Sequence, residues 1–222
     1  VVLMPATNLI DNNSFCMLIG VKYPICRADM YQDAYGELAA AVSEAGGLGV
    51  IGSAFMEPGE LRAEIKLAKE NTSKPIGVYI LFAEVSGADP TTTGYTRQVE
   101  AHIDVCYEER VDVIISGLGN PARIVSEAQS RGILLMSLIG NVKQAKALEM
   151  AGVDAVIASG HEGGGHVGRI GTISLLPRVV DCVKTPVLGA GGLADGRGLV
   201  AAMALGAKGV WMGTRVIATN EA

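Results

Sequence analysis

Charge is scarce in this chain. Lys, Arg, Asp and Glu make up 18% of its 222 residues, and aromatic residues 5%. A net charge of −5 excludes a basic nucleic-acid surface, which needs clustered Lys and Arg. Little charge beside 49% hydrophobic residues also excludes a disordered chain. The four cysteines (Cys16, Cys26, Cys106 and Cys182) form no CxxC pair. Neither a disulfide framework nor a zinc site is therefore expected, and a reducing cytoplasm is the default. No run approaches the ~18 apolar residues of a membrane helix. There is no Walker A sequence and no GxSxG elbow. The first ten residues carry no positive charge, so they do not read as a signal peptide. A chain that opens at Val1 without an initiator Met is expected to have a processed or fragmentary start.

Glycine is abundant, at 29 residues of 222, nearly twice the ~7% average. Without a collagen period, that excess points to tight turns or to backbone lying close to a ligand. At ~150 residues per domain the length gives more than one small domain, slightly short of the ~250 of an α/β barrel.

A single alternation runs through the sequence. Strands are expected at 23–26, 48–52, 75–82, 111–118, 133–139, 155–159, 186–190 and 209–213. Helices are expected at 35–45, 58–71, 92–110, 121–131, 142–151, 173–183 and 195–205. Two helices open on proline, Pro58 and Pro121, where a missing N–H costs nothing. Glycine follows Ala45, Arg131 and Ala151, as short αβ loops require. Continuous apolar strands between amphipathic helices mean a parallel sheet. Eight such units exceed the five or six of most doubly wound sheets, so a closed (β/α)8 TIM barrel is predicted over residues 1–222. An eighth helix should begin where the sequence stops. A fragment of a longer chain, or a gap covered by another chain, is expected, with apolar surface exposed on that flank.

Active sites of parallel barrels lie at the C-terminal strand ends. Three glycine clusters fall there: 159–168 (SGHEGGGHVG), 189–196 (GAGGLADG) and 211–215 (WMGTR). Bare amides in the last two loops suit a phosphate, and Thr214 adds a hydroxyl. The plainer reading is tight βα turns and nothing more. The GxGxxG match at 47–52 lies within a strand, so it does not read as a dinucleotide site. His161-Glu162 with His166 is spaced HExxxH, and three glycines preclude the helix that zinc-binding HExxH needs. His161 and His166 sit on the catalytic rim, where an imidazole can exchange protons near neutral pH or serve structure alone. His102 falls mid-helix as a surface or packing residue.

The stretches SGHEGGGHVG, TPVLGAGGLADGRG and GVWMGTR resemble the nitronate monooxygenases, formerly 2-nitropropane dioxygenases. They are also similar to the related flavin-dependent enoyl-ACP reductases. GVKYPICRADM and ELAAAVSEAGGLGVIG, near the start, look like the opening of the same family. Family members are longer, so the resemblance implies a barrel truncated before its eighth helix and lacking the family's small lid domain. It implies FMN, its phosphate on Gly191, Gly192, Met212, Gly213 and Thr214, with Ser159 and Gly164 beside the cofactor and Met30 under the ring. It makes His166 the catalytic base, with no metal. Arg27-Ala28-Asp29 stands where Gln-Gly-Gly is common, Tyr79 where Asn often faces the flavin, and Ser159 where Gln is frequent.

The activity implied is oxidation of nitronates or nitroalkanes by O2 to a carbonyl compound and nitrite. Two alternatives stand beside it. One is an NAD(P)H reductase of an enoyl thioester or quinone. The other is a non-catalytic barrel that binds a phospholigand or a partner. A small-molecule substrate, no nucleic acid, no membrane, a cytoplasmic location and a possible homo-oligomer complete the expectation.

Overall fold

The computed structural model describes residues 10, 12–30, 35–82, 84–85 and 94–220. Its main sheet has eight parallel strands: β1 (Ile25–Arg27), β2 (Gly49–Gly52), β3 (Ile76–Ile80), β6 (Val113–Ser116), β7 (Leu134–Ile139), β8 (Ala155–Ser159), β9 (Val187–Ala190) and β10 (Gly209–Met212). The spatial order β1-β10-β9-β8-β7-β6-β3-β2 follows the chain once around. The circle closes where Cys26 bridges Leu48 in parallel. Leu48 N–H donates to the Ile25 carbonyl at 2.9 Å, and Arg27 N–H to the Leu48 carbonyl at 3.0 Å. The result is the predicted TIM-type barrel.

Seven helices cover the barrel among the described residues: α2 (Gly36–Glu44), α3 (Pro58–Asn71), α4 (Arg97–Glu108), α5 (Val125–Ser130), α6 (Val142–Ala151), α7 (Thr172–Val180) and α8 (Gly196–Ala204). None of the described helices is long and apolar enough to cross a membrane.

Strand alternation divides the core in two. Outward residues such as Ile51, Val78, Ile114, Leu135 and Val156 pack with Leu61, Ile65 and Leu176 of the helices. Inward residues (Val50, Ile115, Met136, Ile157, Leu188 and Trp211 among them) fill the barrel together with Phe15. Phe15 belongs to an unanticipated element, α1 (Ser14–Ile19). Asn13 caps α1 by accepting from the Phe15 and Cys16 amides, and its own amide donates to the Lys208 carbonyl at 2.9 Å. α1 thereby plugs the N-terminal end and leaves the C-terminal mouth as the open one.

The GxGxxG match at 47–52 is explained by packing. A β-carbon on Gly49 would stand 1.8 Å from the Ala39 carbonyl oxygen, and one on Gly47 2.7 Å from that of Ile25. These glycines let α2 and β1 approach β2.

Several expectations change. The first strand starts two residues later than read and ends one later, at Ile25–Arg27. The helix expected at 92–110 starts at Arg97, because Gly94–Tyr95 is strand β5, paired antiparallel with β4 (Glu84–Val85). Residues 92–93 lie outside the described ones. The helix expected at 121–131 opens with a 3-10 turn, Pro121–Ile124. On the β10 side, Val210 and Met212 are buried and Ile25, Leu199, Leu205 and Val216 are partly buried against the outer core, while Val200 of α8 is exposed. His102 is a packing residue, not a surface one. Its Nε2 donates to the Met56 carbonyl at 2.9 Å, which leaves Nδ1, 3.1 Å from the Ser53 hydroxyl, to accept.

Two outcomes follow. Gly49→Ala drives a methyl into backbone, so it is expected to cost at least the ~1–3 kcal/mol typical of overpacked cores; urea unfolding measures it. Burial holds the His102 imidazole below its ordinary value. The unfolded chain then binds a proton that the folded chain resists, so this contribution is intact above pH ~6.5 and lost as pH falls below it. The melting temperature should drop more steeply from neutral pH to pH ~5 in the wild type than in His102→Gln. Equal slopes would refute the assignment.

Candidate active site

The mouth is built from strand ends that carry little side chain. β8 ends in Ser159 and is followed by Gly160, β9 ends in Ala190 before Gly191, β10 in Met212 before Gly213, and β6 is followed by Gly117. The Tyr79 hydroxyl lies 1.9 Å from where a β-carbon on Gly117 would stand, so Gly117 is bare because the phenol occupies its place. The Tyr79 and Trp211 rings are 6.4 Å apart at 33°. Met30 reaches over β10, its sulfur 3.3 Å from a β-carbon built on Gly213. Tyr79, Trp211 and Met30 thus lie together at the mouth.

One edge of that mouth is lined by amides. Gly191 and Gly192 both have left-handed backbone, with φ of 98° and 71°. A β-carbon on Gly191 would stand 2.8 Å from Thr172 Oγ1 and 3.0 Å from the Gly163 nitrogen. Among the described residues, the N–H groups of Gly191, Gly192, Gly213 and Thr214 donate no hydrogen bond. Four available donors at the ends of adjacent strands fit an anion such as a phosphate, since free amides and close backbone approach are what phosphate loops supply.

The loop after β8 carries the histidines. Ser159 is buried, its Oγ 2.9 Å from a β-carbon built on Gly163. Gly164 and Gly165 have open space where side chains would be. His166 is exposed beyond them. His161 is also exposed, its Nδ1 3.3 Å from a Glu162 carboxylate oxygen. The structure therefore puts the histidine loop, the glycines after β9 and those after β10 on three consecutive strands of one rim.

Two residues that tie these loops together escaped the sequence reading. The Glu162 carboxylate accepts from the Thr172 amide at 2.9 Å and lies 2.9 Å from the Thr172 hydroxyl. The same hydroxyl is 3.1 Å from the Ala190 carbonyl and 3.0 Å from that of Gly191. The Thr172 amide and hydroxyl together hold the Glu162 carboxyl below its ordinary range. Glu162 stood in the sequence as part of a zinc look-alike, and its partner lies ten residues on, at the start of α7. Only the fold joins them.

Arg27 closes β1, and Asp29 follows it by two residues. Arg27 is fully buried, and its guanidinium donates to the Val50 carbonyl across the β1–β2 seam. Burial pushes the Asp29 carboxyl up to about 6, against the downward pull of Arg27. Burial and the Asp29 charge together keep the Tyr79 phenol neutral, well above its ordinary value.

Thr172→Val removes the hydroxyl that serves both loops and keeps the shape. A loss of about 1 kcal/mol in urea unfolding is expected, with Thr172→Ser close to the wild type. A neutral Thr172→Val would show that the tie contributes nothing.

Comparison with known proteins bears on the family and the fold. The family model for nitronate monooxygenase matches residues 12–222. The (3aS,4S,5R,7aS)-5-hydroxy-7a-methyl-1-oxo-octahydro-1H-indene-4-carboxyl-CoA dehydrogenase of Rhodococcus jostii is 41% identical over 92% of this chain and 54% of its own length. A probable nitronate monooxygenase of Staphylococcus aureus is 32% identical over 95% of this chain and 69% of its own. Among solved structures, FabK from Thermotoga maritima has a TM-score of 0.86 at 40% identity, covering 94% of this chain and 63% of its own. Nitroalkane oxidase from Streptomyces ansochromogenes has a TM-score of 0.84 at 30% identity, covering 94% and 69%. The chain thus spans about half the length of the Rhodococcus relative. With a family model matched over nearly all of its residues, the chain belongs to the nitronate monooxygenase family.

Proposed function

We propose that this barrel binds FMN and oxidises alkyl nitronates, and the nitroalkanes that form them, to a carbonyl compound and nitrite with O2. The observation that carries the reading is the set of four available amides on Gly191, Gly192, Gly213 and Thr214, beside the His166 loop. One cluster of donors suits one terminal phosphate. That favours FMN over a dinucleotide, since no acidic ribose partner follows a strand-to-helix GxGxxG turn.

In this reading Gly191, Gly192, Gly213 and Thr214 hold the phosphate, with the Met212 backbone setting their register. Met30 lies under the ring, and Ser159 and Gly164 border it. The bound isoalloxazine supplies the electron acceptor that an electron-rich nitronate needs. His166 takes the α-proton of a neutral nitroalkane on an unprotonated ring nitrogen, and when protonated it donates to nitronate oxygens. The glycines before it let the loop fold toward the mouth and carry the imidazole inward. The cysteines are free, as suits a reducing cytoplasm.

One observation favours a second reading. Identity to the carboxyl-CoA dehydrogenase, at 41%, exceeds that to the probable nitronate monooxygenase, at 32%. A thioester substrate answers to that difference, with NAD(P)H as the hydride source where the reaction runs as a reduction, the reverse of the dehydrogenation for which that relative is named. Anaerobic bleaching of the flavin by ethyl nitronate alone supports the monooxygenase, whereas bleaching only by NADH supports the reductase.

The protein should purify yellow, and Gly192→Val should lose the colour by placing a side chain in the phosphate position. Full flavin content in that variant would refute the phosphate assignment. His166→Ala should keep the flavin and lose ~10²–10⁴-fold in kcat/KM on a neutral nitroalkane. Its loss on the preformed nitronate should be smaller, because the α-proton is already gone. His161→Ala should affect both substrates mildly. The reverse pattern would move the base to His161.

A further inference from the structure

Tyr79 carries a hydroxyl that the fold fixes in place and leaves without a partner. Its backbone is pinned, because the Tyr79 carbonyl accepts from the Ser53 amide at 3.0 Å and from the Ser53 hydroxyl at 2.9 Å. Its ring packs with the inward residues of the barrel, 6.4 Å from that of Trp211. Its phenol end lies over Gly117, where a β-carbon would stand 1.9 Å from the hydroxyl oxygen and 2.0 Å from Cζ. Gly117 is itself tied to β3, its amide donating to the Ile80 carbonyl at 3.0 Å. Among the described residues no group hydrogen-bonds the Tyr79 hydroxyl. In the closed circle β3 stands fourth from β9 in either direction. The phenol therefore rises from the wall opposite the one that carries the Gly191 amide.

We propose that the Tyr79 hydroxyl is the donor through which the mouth recognises an anionic oxygen of its substrate, and that Gly117 is bare in order to seat it. The proposal rests on reading the mouth as the nitronate site, where the acceptor is a nitronate oxygen. A half-buried hydroxyl held without a partner costs stability, and a ligand oxygen repays that cost. Burial, with the Asp29 charge, keeps the phenol protonated, so it is always able to donate. A hydrogen bond to a charged acceptor is roughly twice as strong as one to a neutral acceptor. The phenol thus selects by charge, favouring a nitronate over a nitroalkane of the same shape. Oxidation draws electrons out of the nitronate, so its oxygens lose charge as the reaction proceeds. The donor therefore acts on binding more than on the limiting rate.

Propionate and propionamide test this without turnover. They share a shape, differ by one charge, and lack the acidic α-proton of a nitroalkane. Trp211 is the one tryptophan of the chain and neighbours Tyr79, so its emission reports their binding to the purified holoenzyme. The wild type should bind propionate the more tightly. Tyr79→Phe keeps the ring and removes one oxygen. It should weaken propionate by about ten- to a hundredfold, the range for a hydrogen bond to a charged group, and propionamide by only about a few-fold. Gly117→Ala, whose methyl takes the place of the hydroxyl, should lose the same preference. In anaerobic bleaching by ethyl nitronate, Tyr79→Phe should raise the apparent Kd over the same range, with the loss falling there rather than on the limiting rate.

A Tyr79→Phe protein that binds both ligands as the wild type does, or weakens both alike, overturns the donor. So does a wild type that fails to prefer propionate, a result that needs no variant to fold. A shifted flavin absorbance in Tyr79→Phe with an unchanged Kd for ethyl nitronate gives the hydroxyl to the cofactor and overturns the substrate role. If the preference behaves as expected but ethyl nitronate bleaches neither protein, the nitronate reading falls, and with it the nitronate as acceptor, while the anion donor stands.

Discussion

The barrel depends on its seam. Seven of the eight junctions between neighbouring strands are ladders of three or four registered residues, but β1 meets β2 through one bridge, Cys26 to Leu48. A parallel sheet left open there would expose unpaired backbone on two edges. Part of the closure is made with a side chain: the Arg27 guanidinium donates to the Val50 carbonyl, whose ladder ends early. That solution places a permanent cation inside a nonpolar wall, beneath the mouth. The electrostatics of the site are in this sense a by-product of closing the cylinder.

The same geometry explains why the mouth is bare. Inward positions of the lower layers carry branched or large residues such as Val50, Ile115, Met136 and Ile157, and α1 seals the bottom with Phe15. At the upper ends the chain turns to Gly117, Ser159, Ala190 and Gly213. A barrel filled to the top would be a stable solid with nowhere for a ligand. Here the packing stops one layer short, and the Tyr79–Trp211 ring pair forms the last surface.

Most of this was legible in the sequence, for a physical reason. Helical periodicity, prolines at helix starts and glycines after helix ends are local signals, so α3 at Pro58–Asn71, α6 at Val142–Ala151 and β8 at Ala155–Ser159 coincide with their expected bounds. The rim glycines were legible too, because a cluster at each strand end needs no partner to be seen. Other features gave no such signal. β4 and β5 have two residues each, too few to show alternation, and Thr96, the cap of α4, directly follows Tyr95 of β5. α1 has six residues, shorter than the window in which a period is visible. Asp29 reads as an ordinary loop acid until the fold buries it beside Arg27.

Thr172 shows the limit most clearly, and it bears on how the two loops of the site communicate. Its hydroxyl has one proton and three oxygen neighbours within 3.1 Å: the Glu162 carboxylate and the carbonyls of Ala190 and Gly191. The proton can serve one of them at a time. The Ala190 carbonyl already accepts from the Gly160 amide at 3.0 Å, so it is satisfied without the hydroxyl. The competition is therefore between Glu162, on the histidine loop, and Gly191, on the loop of available amides. An ionised Glu162 wins it, because a hydrogen bond to a charged acceptor is the stronger one. The Gly191 carbonyl is then left without that proton, in a left-handed turn. A change in the charge near Glu162 would be felt at the Gly191 peptide through a single hydroxyl. Loops after different strands of a barrel usually vary independently of one another. Here the loop that carries the histidines and the loop that offers the amides meet at one hydroxyl, which makes them one structural unit.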